Sequence, residues 1–422
     1  MKILLSAYVC EPGSGSEEGV GWNMVREIAR YHETWVLTRT IFRQAVEAEL
    51  ARHPNPNLHF VYFDPFNWTT DWRGRQGLLQ LHYYLWQIEA YFIAKPLHAT
   101  INFDLVRHVT YVKFWSPSFL SLLPIPFVWG PVGGGEYAPK PFWQDFRLQA
   151  KIYETLRDLG QRFGERDPFA RLTARRSVLT QVTTEDTAKR VRSMGAKNVE
   201  VYSEAGLSKE EIDRLGEYGL PDNSPVRFIS IGRHLHWKGY HLSLQAFAQA
   251  KLPEAEYWLL GDGPEHQRLQ TMAEELGISS QVKFWGRVPR DETLRLLGEC
   301  HVLVHPSLHD SGGWVCLEGM AARRPIICLD LGGPATQVTA ETGIKVPGMN
   351  PQQAIEGLAE AMRHLATDSS LRVRMGEAGR RRVSEVYDWE VKGKYLSEVY
   401  EKICFGLSGT PVNKTLETSE LK

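Results

Sequence analysis

The sequence predicts an α/β protein made of two doubly wound halves facing a central cleft. Three observations carry that expectation. Short, continuous apolar runs alternate with helical stretches, as in VRFISIGR, EYWLLGDG, HVLVHPS and PIICLDL, and such runs mark strands buried on both faces of a parallel sheet. The opening residues form a strand–loop–helix–strand unit, which requires a right-handed crossover. Polar and turn residues cluster at YSEAGLSKEEIDRLGEYGLPDNSPV, residues 202–226, between the two alternating regions.

In the first half, KILLSAYV is a buried strand, EPGSGSEEGVG a loop, about Trp22 to Tyr31 a helix, and TWVLTRT the next strand. MKILLSAYVC is not a secretion signal, because Glu11-Pro12 and a glycine-rich loop stand where a cleavage site belongs. LHFVYF, DLVRHVTYV and IPFVWGPV are further strands. QGLLQLHYYLWQIEAYFIAKPL, 76–97, is a helix apolar nearly all round, which suits a buried or interdomain position, or a membrane surface. Residues 140–176 carry nine Lys/Arg against five Asp/Glu, a surplus suited to a solvated face or to an anionic lipid or substrate.

The second half alternates more regularly. Tyr240 to Ala250, Glu265 to Leu276 and Trp314 to Arg324 are helices, the last stopped by Pro325. DWEVKGKYLSEVYEKI, 388–403, is a final helix, and the Ser/Thr-rich tail after Phe405 is expected to be disordered.

Composition narrows the class. A chain of 422 residues exceeds one compact core. A formal net charge of −1 argues against a nucleic-acid partner. Five cysteines without a CxxC suggest neither disulfide framework nor zinc site, so a cytoplasmic protein is expected, with contact at the inner membrane face left open. No apolar run reaches the about 18 residues of a membrane span.

The chemistry is concentrated in HDSGGWVCLEGMAARRP, 309–325. An apolar helix there carries one acid, Glu318, and a second acid, Asp310, precedes it across Gly312-Gly313. Open sheets of this kind bind ligands beyond the carboxyl ends of their strands. Arg233 and Lys238 follow the first strand of the second half, where two cations suit a diphosphate. Gly312-Gly313 leaves helix N–H groups open to an anion. A carboxylate accepts two hydrogen bonds at once and so fits the diol of a ribose, Glu318, or of an attached sugar, Asp310. The plainer alternative pairs Glu318 with Arg323, Arg324 or another base.

In the first half, Gly13, Gly15, Gly19 and Gly21 do not form GxGxxG, and no acid ends the second strand, which excludes a dinucleotide dehydrogenase. That loop is either a plain turn or a close approach to phosphate or sugar. His108 ends a strand and is a candidate catalytic imidazole against the transferred sugar. Gly133, Gly134, Gly135 and Glu136 form a second permissive loop, a candidate for the acceptor side. No DxD pair or His/Cys cluster appears, and His305 and His309 straddle Pro306, so neither a metal nor any other cofactor is expected.

These residues resemble the donor domain of retaining family 4 glycosyltransferases, with the B-type architecture (GT-B) of two Rossmann-like domains. The likeness runs through GRHLHWKGYHLSLQAF, YWLLGDGPE, VKFWGRVP and HVLVHPSLHDSGGWVCLEGMAARRPII. The family commonly places two glutamates eight positions apart; Asp310 and Glu318 hold those positions here, and Ser311-Gly312-Gly313 followed by Trp314 replaces the usual Gly-Phe-Gly.

The resemblance implies that Arg233 and Lys238 hold the donor diphosphate and Glu318 its ribose. It implies that Asp310, with Ser311, Gly312, Gly313 and Trp314, holds the sugar, and that backbone near Arg287 and Val288 meets the base. It implies an acceptor-side domain over 1–205, a donor domain over 206–384, and a crossing helix over about 385–404 that returns to the first. The implied reaction moves a sugar from a nucleoside diphosphate sugar to a hydroxyl acceptor: a glycan, a lipid-linked sugar or a small metabolite.

Overall fold

A computed structural model describes residues 1–68, 76–221 and 225–406. The tail beyond Gly406 lies outside the described residues. The first lobe is a seven-stranded sheet of β1 (Lys2–Ser6), β2 (Glu33–Thr38), β3 (Leu58–Tyr62), β4 (Leu105–His108), β5 (Phe127–Val132), β6 (Leu179–Val182) and β7 (Val199–Val201). The second is a six-stranded sheet of β8 (Val226–Ile231), β9 (Ala255–Leu260), β10 (Val282–Gly286), β11 (Val302–His305), β12 (Ile326–Leu329) and β13 (Gly343–Val346).

The orders are β3-β2-β1-β4-β5-β6-β7 and β10-β9-β8-β11-β12-β13. Every pairing is parallel. Both are doubly wound sheets, and in each the order reverses beside its first strand, between β1 and β4 and between β8 and β11. The strands of both sheets are mostly buried, as their apolar runs require.

Three elements differ from expectation. The first helix spans Ser16–Ile28 and so begins six residues before Trp22. A Cβ on Gly19 would lie 2.2 Å from the Ser14 carbonyl oxygen, and one on Gly21 would lie 2.1 Å from that of Val9. The helix presses onto the preceding loop and strand at points only glycine allows, which a low helix propensity disguises as loop. The long helix spans Gln76–Ile101; it buries Trp86, Ala90 and Ala94 against the first sheet but leaves Leu81 and Phe92 exposed, so it is half-covered rather than enclosed. The helix starting at Trp314 stops at Ala321, because Arg323 turns left-handed (φ +59°) and the Arg324 amide bonds back to the Gly319 carbonyl at 2.8 Å.

The lobes are also interleaved. Ala138, Phe142, Phe146 and Ala150, from the β5–β6 connection, pack into a core of the second lobe, and Arg268 donates to the Asp145 carbonyl at 2.9 Å. The expected first domain, 1–205, therefore gives up a segment to its neighbour. In the opposite sense, the last helix, Trp389–Phe405, lies on Ser16–Ile28. Arg107 donates to the Tyr400 hydroxyl at 2.8 Å, and Trp389 joins the first-lobe core.

Candidate functional site at the two switch points

The loops after β8 and β11 meet at the switch point of the second sheet. Gly239 makes the contact possible: it adopts φ +71°, and a Cβ there would lie 2.0 Å from the Pro306 carbonyl oxygen. That approach sets Lys238 against Asp310, with Nζ 2.5 Å from Oδ2. His305, at the end of β11, places Nε2 3.1 Å from the same oxygen. The other oxygen of Asp310 accepts from the Gly313 amide at 3.4 Å. Burial pushes this carboxyl up, but the Lys238 charge and the His305 hydrogen bond outweigh it and hold the group well below the usual carboxylate range. Asp310 is thus an anion at any ordinary pH. Arg233, on the same loop as Lys238, is exposed and forms no salt bridge among the described residues.

Glu318 lies on the Trp314–Ala321 helix with its side chain 6 % exposed. Its partner is Arg290, whose Nη1 donates at 2.6 Å. Neither Arg323, which pairs with Glu377, nor Arg324, which donates to the Gly219 and Gly298 carbonyls, is involved. Burial raises the Glu318 carboxyl, and Arg290 opposes the rise. Because Arg290 opens the helix that follows β10, this contact brings Glu318 beside the loop holding exposed Arg287 and half-buried Val288.

In the first lobe, Gly13 (φ +70°) and Gly15 have open space where a side chain would stand, so the loop after β1 leaves its backbone clear. A Cβ on Gly133 would lie 3.6 Å from the Ser311 Cβ, so this glycine faces the opposite lobe. Gly134 takes φ +89°, and the Gly135 amide donates to Thr187 Oγ1 at 3.0 Å.

Two first-lobe candidates do not reach the cleft. Glu136 is buried, accepting from Thr183, Thr184 and Thr187 hydroxyls at 2.8–3.2 Å and from the Gly134 amide at 3.1 Å; it anchors the loop instead of meeting an acceptor. His108 is fully buried, with Nε2 3.0 Å from the Tyr83 hydroxyl and 3.3 Å from Gln87 Nε2, both on the long helix. Burial pushes its pKa down to about 3, so it stands here as a neutral imidazole held against the long helix.

Other residues occupy that side. Glu17 accepts from the Tyr111 amide and has Lys113 as its charged neighbour. Glu204 accepts from Ser311 Oγ at 3.0 Å across the lobes. Burial, then the charge of Glu17, pushes its pKa up to about 8, so it keeps its proton at neutral pH. Neither stands out in the sequence: Glu17 lies among the glycines at the start of the first helix, and Glu204 in a stretch that reads as a turn. A further link lies at the cleft edge: His236 and His309 place Nε2 2.9 Å and 3.2 Å from Glu154 Oε1. His305 and His309 therefore serve different carboxylates.

Comparison with known proteins places these features in a family context. Residues 216–382 match the family model described as Glycosyl transferases group 1. Over 195 residues the chain is 33 % identical to the lipopolysaccharide core biosynthesis glycosyltransferase LpsE of Rhizobium meliloti, covering 46 % of this chain and 55 % of that protein. It is 32 % identical to the D-inositol 3-phosphate glycosyltransferase of Corynebacterium urealyticum over 44 % of this chain and 45 % of that one. The chain thus spans about half the length of the curated relatives it matches. Over 95 % of its length it superimposes on all of the lipopolysaccharide outer core galactosyltransferase WaaB in its apo form, with TM-score 0.63 and 13 % identity. It matches Anabaena HepE in complex with UDP and glucose over 95 % of this chain and 100 % of that one, with TM-score 0.56 and 16 % identity. The fold is the two-lobed GT-B architecture, and its second lobe carries the match to the group 1 glycosyl transferases.

Proposed function

We propose that the protein transfers a sugar from a nucleoside diphosphate sugar to a hydroxyl acceptor, with retention of configuration and without a metal. The observation that carries this reading is the meeting of the Lys238 and Asp310 loops at the second switch point, with Gly133 of the first lobe facing Ser311 beside them. A diphosphate entering there finds Lys238 and Arg233 as counter-charges, and Lys238 exchanges a carboxylate partner for phosphate oxygens. Glu318, beside the Arg287–Val288 loop, accepts from the ribose. Asp310, fixed by His305 and the Gly313 amide, accepts from the sugar.

Cations at the departing diphosphate stabilise the charge that grows as the glycosidic bond breaks. In the same-face course we favour, the departing phosphate oxygen takes the acceptor proton. Closure of the lobes excludes water and aligns the groups. A nucleotide-sugar epimerase or hydrolase on the same fold is the second reading; it predicts donor turnover that no acceptor accelerates.

The test is a thermal-shift screen with UDP, GDP, ADP and their sugars, followed by an acceptor screen with the donor so found. Acceptor-dependent release of nucleoside diphosphate, an unchanged anomer in the product, and indifference to EDTA are expected. The absence of any stabilising nucleotide would overturn the proposal.

A further inference from the structure

The helix Leu148–Gly164 is built inside out. At about 100° per residue, Leu148, Ile152, Leu156, Leu159 and Phe163 fall within an arc of about 80°, and this arc faces solvent. Leu148 is 73 % exposed, Leu156 64 % and Phe163 72 %. The opposite face, turned into the protein, is polar. It carries Glu154 against His236 and His309, and Gln161, whose Nε2 donates to the Gly134 carbonyl at 2.7 Å. Isolated exposed apolar residues are ordinary, but a continuous apolar stripe on the outer side of a helix with a polar inner side needs a partner.

Charge decides which partner. Each acid on the helix has a cation within the protein: Glu154 faces Arg157 at 3.6 Å besides its two histidine hydrogen bonds, and Asp158 pairs with Lys140 at 2.9 Å. Just beyond its end, Glu165 pairs with Arg190 at 2.6 Å. The bases flanking the stripe, Arg147, Lys151, Arg162 and Arg166, form no salt bridge among the described residues. The outward face is therefore apolar along its centre and cationic along its margin. A second copy of the chain would bring like charges together, whereas an anionic bilayer satisfies both features.

We infer that this helix seats the protein on the surface of an anionic lipid bilayer, with the apolar stripe among the acyl chains and the four bases at the headgroups. The docking stands apart from the transferase reading. Its consequence for the acceptor rests on that reading: His309, next to Asp310, touches the inner side of the same helix, so the bilayer lies about one helix diameter, about 10 Å, from the site. A hydroxyl acceptor carried by a lipid is thus the class this placement serves.

The test is co-flotation of the full chain with vesicles of phosphatidylcholine alone, or with 30 mol % phosphatidylglycerol, an amount of about one anionic lipid in three. Binding to the anionic vesicles at low salt, weaker at about 0.5 M salt, is expected. L156E/F163E should weaken it about 100-fold and R162Q/R166Q about 25-fold. Both pairs are exposed, so thermal unfolding and nucleotide binding should be unchanged, and L156A/F163A serves as a milder version. The inference is overturned if the wild type stays unbound at low salt. It is equally overturned if the variants bind undiminished, or if L156E/F163E converts an oligomer to a monomer while no vesicle binding occurs. Loss of nucleotide binding in the wild type would strike the transferase reading and leave the docking intact.

Discussion

Replacing Lys238 by methionine separates two roles that one ammonium group fills. The Lys238 and Asp310 side chains are each 19 % exposed. Removing one partner of a fully buried pair costs about 3–5 kcal/mol, and an exposed pair is worth at most about 1 kcal/mol. With His305 remaining on Asp310, a loss of about 2 kcal/mol is expected, a fall of about 4–8 °C in the unfolding of a lobe this size. Affinity for the nucleoside diphosphate should fall about 10- to 100-fold, the worth of a charged contact. Adding Asp310→Asn removes the orphaned charge. The double variant K238M/D310N should therefore regain most of the lost melting temperature and none of the lost affinity. Calorimetric titration with the diphosphate, beside thermal unfolding, reads both. If affinity returns with stability, Lys238 serves Asp310 alone and does not hold phosphate.

Three further outcomes follow from the same site. Glu318→Ala should cost little stability, because Arg290 is 54 % exposed and stays hydrated, yet should weaken donor binding about 10- to 100-fold by calorimetry. Glu204 has a folded pKa of about 8, above its ordinary value of 4.5, so the native state holds the extra proton between those values and stability falls as pH rises through them. Glu204→Gln should accordingly raise the melting temperature more at pH 9 than at pH 5; an equal effect at both would refute the assignment. Glu154 is the opposite case. Burial pushes it up, but hydrogen bonds from His236 and His309 prevail and bring it down to about 2. Its contribution is full above about pH 4.5 and is lost as pH falls towards 2. The stability gap between wild type and Glu154→Gln should close across that window in thermal melts at graded pH.

The sheets were legible because parallel strands buried on both faces write themselves as continuous apolar runs, and the meeting of Lys238 with Asp310 follows from their place on strand-end loops beside the switch point; Glu318 instead pairs with a base, Arg290, as the plainer reading of the sequence allowed. What escaped was long-range. Ser311 and Glu204 are 107 residues apart, and His236 and Glu154 are 82 apart, so no local spacing announces either contact. The orientation of His108 escaped for a related reason: a strand-end position does not say whether a side chain turns to the cleft or to the overlying helix, where Tyr83 and Gln87 meet it. Phe142 and Phe146 look like ordinary core residues of their own lobe, and only tertiary packing assigns them to the other one. The outward stripe of the Leu148–Gly164 helix has the usual amphipathic period, but periodicity marks an apolar face without saying which way it turns.

The exchanged segment has a mechanical consequence. Glu136 is tied to threonines of the first lobe, while Ala138, Phe142 and Phe146 are seated in the second. The stretch between those two anchorages is Tyr137 alone, and Pro139 and Pro141, just inside the second lobe, remove backbone freedom where the chain enters it. The jaw is thus belted at its mouth as well as jointed at its back. Any parting of the two lobes is limited by how far that short, stiff belt extends before Ala138 and Phe142 leave their socket.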